Sequence, residues 1–397
     1  MYNRTLYFSH LSQVKSQFVG IVISDCVTSH LPSDFMNGRV KRVFANLAEE
    51  VDAILLINDA EPNIDQSFFY VTGLESGLFE GCFVILWPDG SLDLFSSKLE
   101  ETSARSVFEG VRIFDKAADR ERMLRESLKG VKRLGLNGAA ITLRSLREIK
   151  KAVPEIEEVD VWKALERARL VKDDDEIARI REACKIASDV AEEIPDFLTT
   201  GMTEYEAAAE IAYRMQKKGA TSPSFDPNAS FGANSAEPHH VPTNRKLSRG
   251  DCALFDFGAK YRRYCSDITR TFFFGRPNED LEEMYSIVLE AQKAAIRMMR
   301  AGVKAKDIDV CARSIIDATR FRGRFIHSIG HAIGLSVHDG GRIAAEESFA
   351  LEENMILTVE PGIYVPGIGG IRIEDDVRIT ASGCELLTTA PKEMMVI

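Results

Sequence analysis

Twice in the second half of this chain an apolar strand runs into a carboxylate, turns, and returns on a strand that carries another carboxylate. The first instance is Ala253-Leu254-Phe255-Asp256-Phe257-Gly258, then a polar connection from Lys260 to Arg263, then Tyr264-Cys265-Ser266-Asp267-Ile268-Thr269-Arg270-Thr271-Phe272. Such a pattern predicts a hairpin. Centred between Tyr261 and Arg262, it sets Asp256 opposite Asp267. In the second instance Leu357-Thr358-Val359-Glu360 and Ile371-Arg372-Ile373-Glu374 flank the turn-rich Pro366-Gly367-Ile368-Gly369-Gly370. A turn centred at Gly367 sets Glu360 opposite Glu374. Carboxylates facing each other at cross-strand distance repel, so each pair needs a cation between its members or a retained proton. A single bulge in either hairpin would shift the register by one residue and turn the side chain to the other face.

Histidines gather in the same region: His239, His240, His327, His331 and His338 are five of the seven in the chain. Any one acid in a hairpin is ordinarily solvated or ion-paired. His331, in Ile329-Gly330-His331-Ala332-Ile333-Gly334, stands in no H-E-x-x-H arrangement. The set, rather than any member, points to metal. Four carboxylates with one neutral imidazole offset the charge of two divalent cations and leave room for a bridging hydroxide, the balance of a dinuclear hydrolase. Arg342 and Arg372 read most simply as ion-pair partners of neighbouring acids.

A chain of 397 residues with 45% apolar content can bury two or three domains' worth of core. The stretch from Arg39 to about Val161 alternates helical and strand patterns and reads as an α/β unit. Its strand candidates are Ala53–Ile57, Phe83–Trp87, Leu92–Phe95 and Val111–Phe114. Acidic Lys172-Asp173-Asp174-Asp175-Glu176 marks a helix start, and the domain junction is expected near residue 168, dividing 1–168 from 169–397. Further helices are expected from Thr203, where Glu206 completes a capping box, from Leu281 to Met299 and from Ile308 to Thr319. Residues 1–36 form an extension with neither a clear period nor a disordered composition.

Scattered, odd-numbered cysteines without a C-x-x-C pair argue against a disulfide framework or a thiolate zinc site, so a cytoplasmic location is expected. A net charge of −11 disfavours nucleic acid as a partner. The first residues lack the unbroken apolar segment of a signal peptide, and no uncharged run is long enough to span a membrane.

Taken in order, Phe255-Asp256-Phe257-Gly258, Ser266-Asp267-Ile268-Thr269-Arg270, Gly330-His331-Ala332-Ile333-Gly334, Thr358-Val359-Glu360-Pro361-Gly362-Ile363-Tyr364 and Arg372-Ile373-Glu374-Asp375 resemble the motifs of the pita-bread metallopeptidases. The resemblance is to the prolidase and aminopeptidase P branch and spans roughly residues 37–397. It implies a creatinase-like α/β N-terminal domain followed by an α+β pita-bread catalytic domain. Methionine aminopeptidases share the catalytic fold but lack the first domain.

The resemblance further implies that Asp256 binds one metal ion, that His331 and Glu360 bind the other, and that Asp267 and Glu374 bridge both. All five positions are filled, unlike in creatinase or the non-catalytic relatives. His239 matches a histidine that contacts substrate, His338 one that stabilises the tetrahedral intermediate, and Arg342 an arginine that holds a dipeptide's free carboxylate in some prolidases. Glu237 stands where an apolar residue is common, and Asp339 where Glu is frequent. The implied reaction is cleavage before a penultimate proline, with Glu360 as general base. Carboxylate-rich ligation suits Mn or Co, with Zn or Fe as alternatives. Dipeptidase, aminopeptidase P acting on longer peptides, and a peptide-binding protein without turnover remain alternatives, and a homodimer is implied.

Overall fold

Five successive apolar residues leave a strand no polar face to show to water, and β1 (Ala53–Ile57) is buried along its whole length. It lies inside a six-stranded sheet of the computed structural model, which describes residues 33–397; the expected extension lies outside the described residues up to position 32. The other strands are β2 (Phe83–Leu86), β3 (Leu92–Ser97), β4 (Arg112–Phe114), β5 (Arg133–Leu136) and β6 (Glu157–Asp160), in spatial order β4-β3-β2-β1-β5-β6. β1 pairs parallel with β5 and antiparallel with β2. Helices α1 (Ser33–Ala45), α2 (Gln66–Thr72), α3 (Glu101–Val107), α4 (Ala117–Ser127), α5 (Leu143–Ala152) and α6 (Trp162–Leu170) complete this α/β unit.

The second unit opens on α7 (Asp174–Phe197), where Asp173 and Glu176 form the capping box that an acidic start favours. Thr203 and Glu206 do the same for α8 (Glu204–Lys217). Antiparallel strands follow: β7 (Ser222–Pro223), β8 (Asn228–Phe231), β9 (Asp251–Phe257), β10 (Ala259–Tyr261), β11 (Tyr264–Cys265) and β12 (Ile268–Phe274). After α9 (Glu279–Met298) and α10 (Ala305–Asp317) come β13 (Ile356–Val359), β14 (Gly362–Val365), β15 (Gly369–Arg372), β16 (Asp375–Ile379) and β17 (Cys384–Leu386). This is an α+β unit.

The first hairpin departs from the expected register. Asp256 faces Thr269, not Asp267, and Tyr261 faces Tyr264. Lys260 and Tyr261 belong to β10, and the turn is Arg262-Arg263, both with positive φ (44° and 72°). The turn centre therefore lies one residue further along than expected, which moves each partner by two. Side chains alternate with period two, so an even displacement keeps both acids on the same face. In the second hairpin Val359 faces Asp375 and Gly362 faces Arg372. That register places Glu360 opposite Glu374, as expected, in the gap between two short ladders.

The two units share a core. Ile54, Phe83 and Leu134 belong to one buried cluster with Ile177, Ile180, Cys184, Tyr264 and Ile333. Arg39 pairs with Asp173 at 2.8 Å, the Tyr70 hydroxyl donates to the Ala168 carbonyl at 2.9 Å, and Arg169 pairs with Asp339 at 2.8 Å. Among the described residues no helix is long and apolar enough to cross a membrane. Cys82, Cys184, Cys252, Cys265, Cys311 and Cys384 are free.

Candidate active site

The carboxylates arrive at one place because short ladders stop just before them. β13 ends at Val359 and β15 at Arg372, so Glu360 and Glu374 leave the sheet where the two ladders part. Asp267 precedes β12, and its backbone N–H is fixed by the Asp376 carboxylate at 2.8 Å. His331 comes from the loop after α10; its N–H donates to the Thr358 hydroxyl at 3.0 Å, and its carbonyl accepts from Thr358 N at 2.8 Å. Gly330 permits this approach, since a Cβ there would lie 2.1 Å from the Thr358 carbonyl oxygen.

One ligand atom each from Asp267, His331 and Glu374 lies within 4.8 Å of the others, and all three residues are buried. His331 Nε2 is 3.4 Å from Glu360 Oε1 and 3.9 Å from Asp267 Oδ2. Burial, and after it the neighbouring His338, bring the His331 ring down to about 4, although the Ala332 and Val337 carbonyls pull it upward. His331 is therefore neutral, with Nδ1 turned toward a carbonyl oxygen and Nε2 free as a lone-pair donor.

The acids behave in the opposite sense. Burial pushes Asp267 well above the ordinary carboxylate range, and Glu374, Asp256, Asp376 and Glu360 add repulsion. Glu374 and Glu360 are raised by burial and by neighbouring acids as well, with Arg372 pulling both back. Asp267 Oδ1 and Glu374 Oε1 are buried and have no hydrogen-bond partner. Unpartnered buried oxygens on mutually repelling carboxylates are costly alone and become favourable ligands once cations neutralise them. The residues present thus fit divalent metal ions.

Asp256 stands differently. It is only partly buried and its Oδ2 accepts from Arg372, whose guanidinium also reaches the Thr269 hydroxyl at 3.0 Å and the Tyr364 hydroxyl at 2.9 Å. Thr269 in turn donates to Glu374 Oε2 at 2.6 Å. The simple reading of Arg372 as an ion-pair partner holds, and it ties Asp256, Thr269 and Tyr364 into one network.

All five candidate ligands line or touch a cavity of about 1330 Å³, together with His239, His338, Arg342 and His327. The His338 ring lies 4.1 Å from that of His331, and burial followed by the proximity of His239 lowers its pKa, so it too is neutral near pH 7. His239 is exposed on the cavity wall. Arg342 reaches the rim, exposed and paired with Glu346 at 2.8 Å. His327 and Tyr364 escaped the sequence reading as functional residues. Their signal was present: His327 stands four positions before His331, and Tyr364 closes the Glu360 motif. The His327 ring bonds the Tyr364 hydroxyl at 2.8 Å, and burial with the nearby Arg372 brings its pKa down to about 3.

Residues 178–381 match metallopeptidase family M24, and residues 39–171 match the creatinase/prolidase N-terminal domain. An Xaa-Pro dipeptidase of Pyrococcus horikoshii is 35% identical over 366 residues, covering 91% of this chain and 100% of the relative. The solved Xaa-Pro dipeptidase from Bacillus anthracis is similar with a TM-score of 0.84 at 34% identity, covering 91% of this chain and 100% of its own. The X-Pro aminopeptidase from Thermotoga maritima gives 0.83 at 34% identity, over 90% of this chain and 100% of its own.

Proposed function

The chain belongs to metallopeptidase family M24, and from that premise we propose that it hydrolyses Xaa-Pro dipeptides with two divalent metal ions. One observation carries the reading: Asp267, His331, Glu374 and Glu360 converge on a cavity floor where two carboxylate oxygens have no protein partner. Asp256, Asp267, His331, Glu360 and Glu374 would hold the ions, with Asp267 and Glu374 shared between them. Manganese or cobalt is the expected metal, with zinc or iron as alternatives.

Bound there, the ions would supply Lewis acidity and lower the pKa of a water molecule toward neutrality. The chain's own groups do the rest. Glu360, on the cavity lining, can take a proton from the attacking water and pass it to the leaving nitrogen. That transfer matters because an Xaa-Pro nitrogen carries no hydrogen of its own. Neutral His338 has one N–H to donate to a developing oxyanion, and His239, on the same wall, contacts the substrate.

A second reading, release of an N-terminal residue from longer peptides, is favoured by the cavity's 1330 Å³, which exceeds the ~300–1,000 Å³ of ordinary small-ligand pockets. Arg342, the candidate for a dipeptide's carboxylate, is already paired with Glu346. Hydrolysis of an Xaa-Pro dipeptide and of an Xaa-Pro-containing tripeptide, each with and without manganese, separates the two. Preference for the dipeptide supports the first reading, and comparable rates on the tripeptide would replace it with the second. A cytoplasmic homodimer with units joined near residue 168 completes the proposal; the free cysteines suit a reducing compartment, and the dimer rests on family resemblance.

A further inference from the structure

His239 stands on a segment with little regular structure to hold it. Between the short helical turn Gly232–Ala236 and β9 the chain runs irregularly, and His239 itself is exposed on the cavity wall. Two backbone bonds support the stretch locally, Glu237 N to Asn234 O and His240 N to Glu237 O, both 3.1 Å. Its main anchor lies beneath it.

That anchor is Glu204, the first residue of α8, fully buried at 0% exposure. Its two oxygens divide the segment between them. Oε1 accepts from Phe231 N at 2.8 Å and from Asn234 Nδ2 at 3.0 Å, on the upstream side of His239. Oε2 accepts from His240 Nε2 at 2.9 Å, Thr243 N at 2.9 Å and Thr243 Oγ1 at 2.6 Å, on the downstream side. An ionised carboxylate only accepts, so the His240 nitrogen facing it carries its proton. The helix N-terminus favours the buried negative charge, and Glu204 N is tied to the Arg245 carbonyl at 3.1 Å, fixing helix and segment together.

We infer that Glu204 is a positioning residue: by bracketing His239 from both sides it sets where that imidazole meets the substrate. The inference rests on the proposed contact between His239 and substrate. Glu204 touches neither the candidate ligands nor the cavity, so its effect passes through His239.

The test is a double-mutant cycle on the metal-loaded full chain. In Glu204→Gln, an amide oriented to keep Phe231 and Asn234 turns its NH2 against the donors of Thr243 and His240. The expected result is a fall in kcat/KM of about 10- to 100-fold on an Xaa-Pro dipeptide, with bound manganese unchanged. In a His239→Ala background the same substitution should add less than about threefold. Should the buried amide prevent folding, Thr243→Val removes the hydroxyl that donates to Glu204 and accepts from Arg245 N at 3.1 Å while keeping the Thr243 N–H bond, and a loss of about 3- to 10-fold that again vanishes in the His239→Ala background is expected. Wild-type rates in these variants, or an equal loss without His239, would overturn the inference. If the wild type cleaves no Xaa-Pro peptide, the proposed activity fails separately. Crystal structures then decide: a displaced 237–243 segment in Glu204→Gln upholds the positioning role, and an unmoved His239 ends it.

Discussion

Asp267 and Glu374 each keep one oxygen buried without a partner, and that fact controls how the protein should respond to pH. Asp267, Glu374 and Glu360 all have folded pKa values raised above those of an unfolded chain, by burial first and neighbouring acids next. Without metal, the folded state therefore holds more protons than the unfolded one once pH exceeds about 4.5, and stability falls as pH rises through the raised values. Cations displace those protons and remove the penalty. The difference in Tm between manganese-loaded and chelated protein should grow from pH 5 to pH 8; a constant difference would mean the carboxylates do not bind the metal. Asp267→Asn should lower metal content and activity together, and retained activity without bound metal would refute the dinuclear site. Thr269→Val removes a 2.6 Å donor to Glu374 and a 3.0 Å acceptor for Arg372. Its expected cost is about 10- to 100-fold in manganese affinity, read by titration calorimetry.

The two carboxylate hairpins show what was legible in the sequence and what was not. The Glu360 hairpin carries glycines through its turn, and a symmetric placement at Gly367 reproduces the observed pairing. The Asp256 hairpin turns on Arg262-Arg263, residues that give no warning of two consecutive positive φ values. Face survived that error because the displacement was even. Equally hidden was the division of labour at the tip. Arg262 is half exposed and weakly paired with Glu75 at 3.6 Å, whereas Arg263 donates to the Leu74 carbonyl at 2.7 Å and stacks 3.5 Å above Phe69. Arg262→Gly should thus raise stability by about 0.5–1 kcal/mol by relieving backbone strain. Arg263→Gly should lower it by about 2 kcal/mol or more through lost stacking and hydrogen bonds. Thermal or denaturant unfolding of the pair checks both signs.

At the scale of the molecule, composition and pattern set the α/β unit ahead of the α+β unit, because buried parallel strands and capped amphipathic helices are written locally. Contacts between the units are not. Asp339, which in sequence merely follows His338, takes an ion pair from Arg169 at 2.8 Å beneath the cavity, and Arg169 Nη1 also donates to the Ser67 hydroxyl of α2 at 2.5 Å. No period or spacing foretells such a link, which joins residues 170 positions apart. The cavity wall is likewise drawn from α6, the His239 segment and both hairpins. The central claim, that this assembly exists to hold two metal ions against an Xaa-Pro bond, has one direct measurement. Chelated protein is titrated with manganese while hydrolysis of an Xaa-Pro dipeptide is followed. The account predicts no turnover without metal and a rise to a plateau at two ions per subunit. Full turnover with no metal bound, or two ions bound with no Xaa-Pro peptide cleaved, would contradict it.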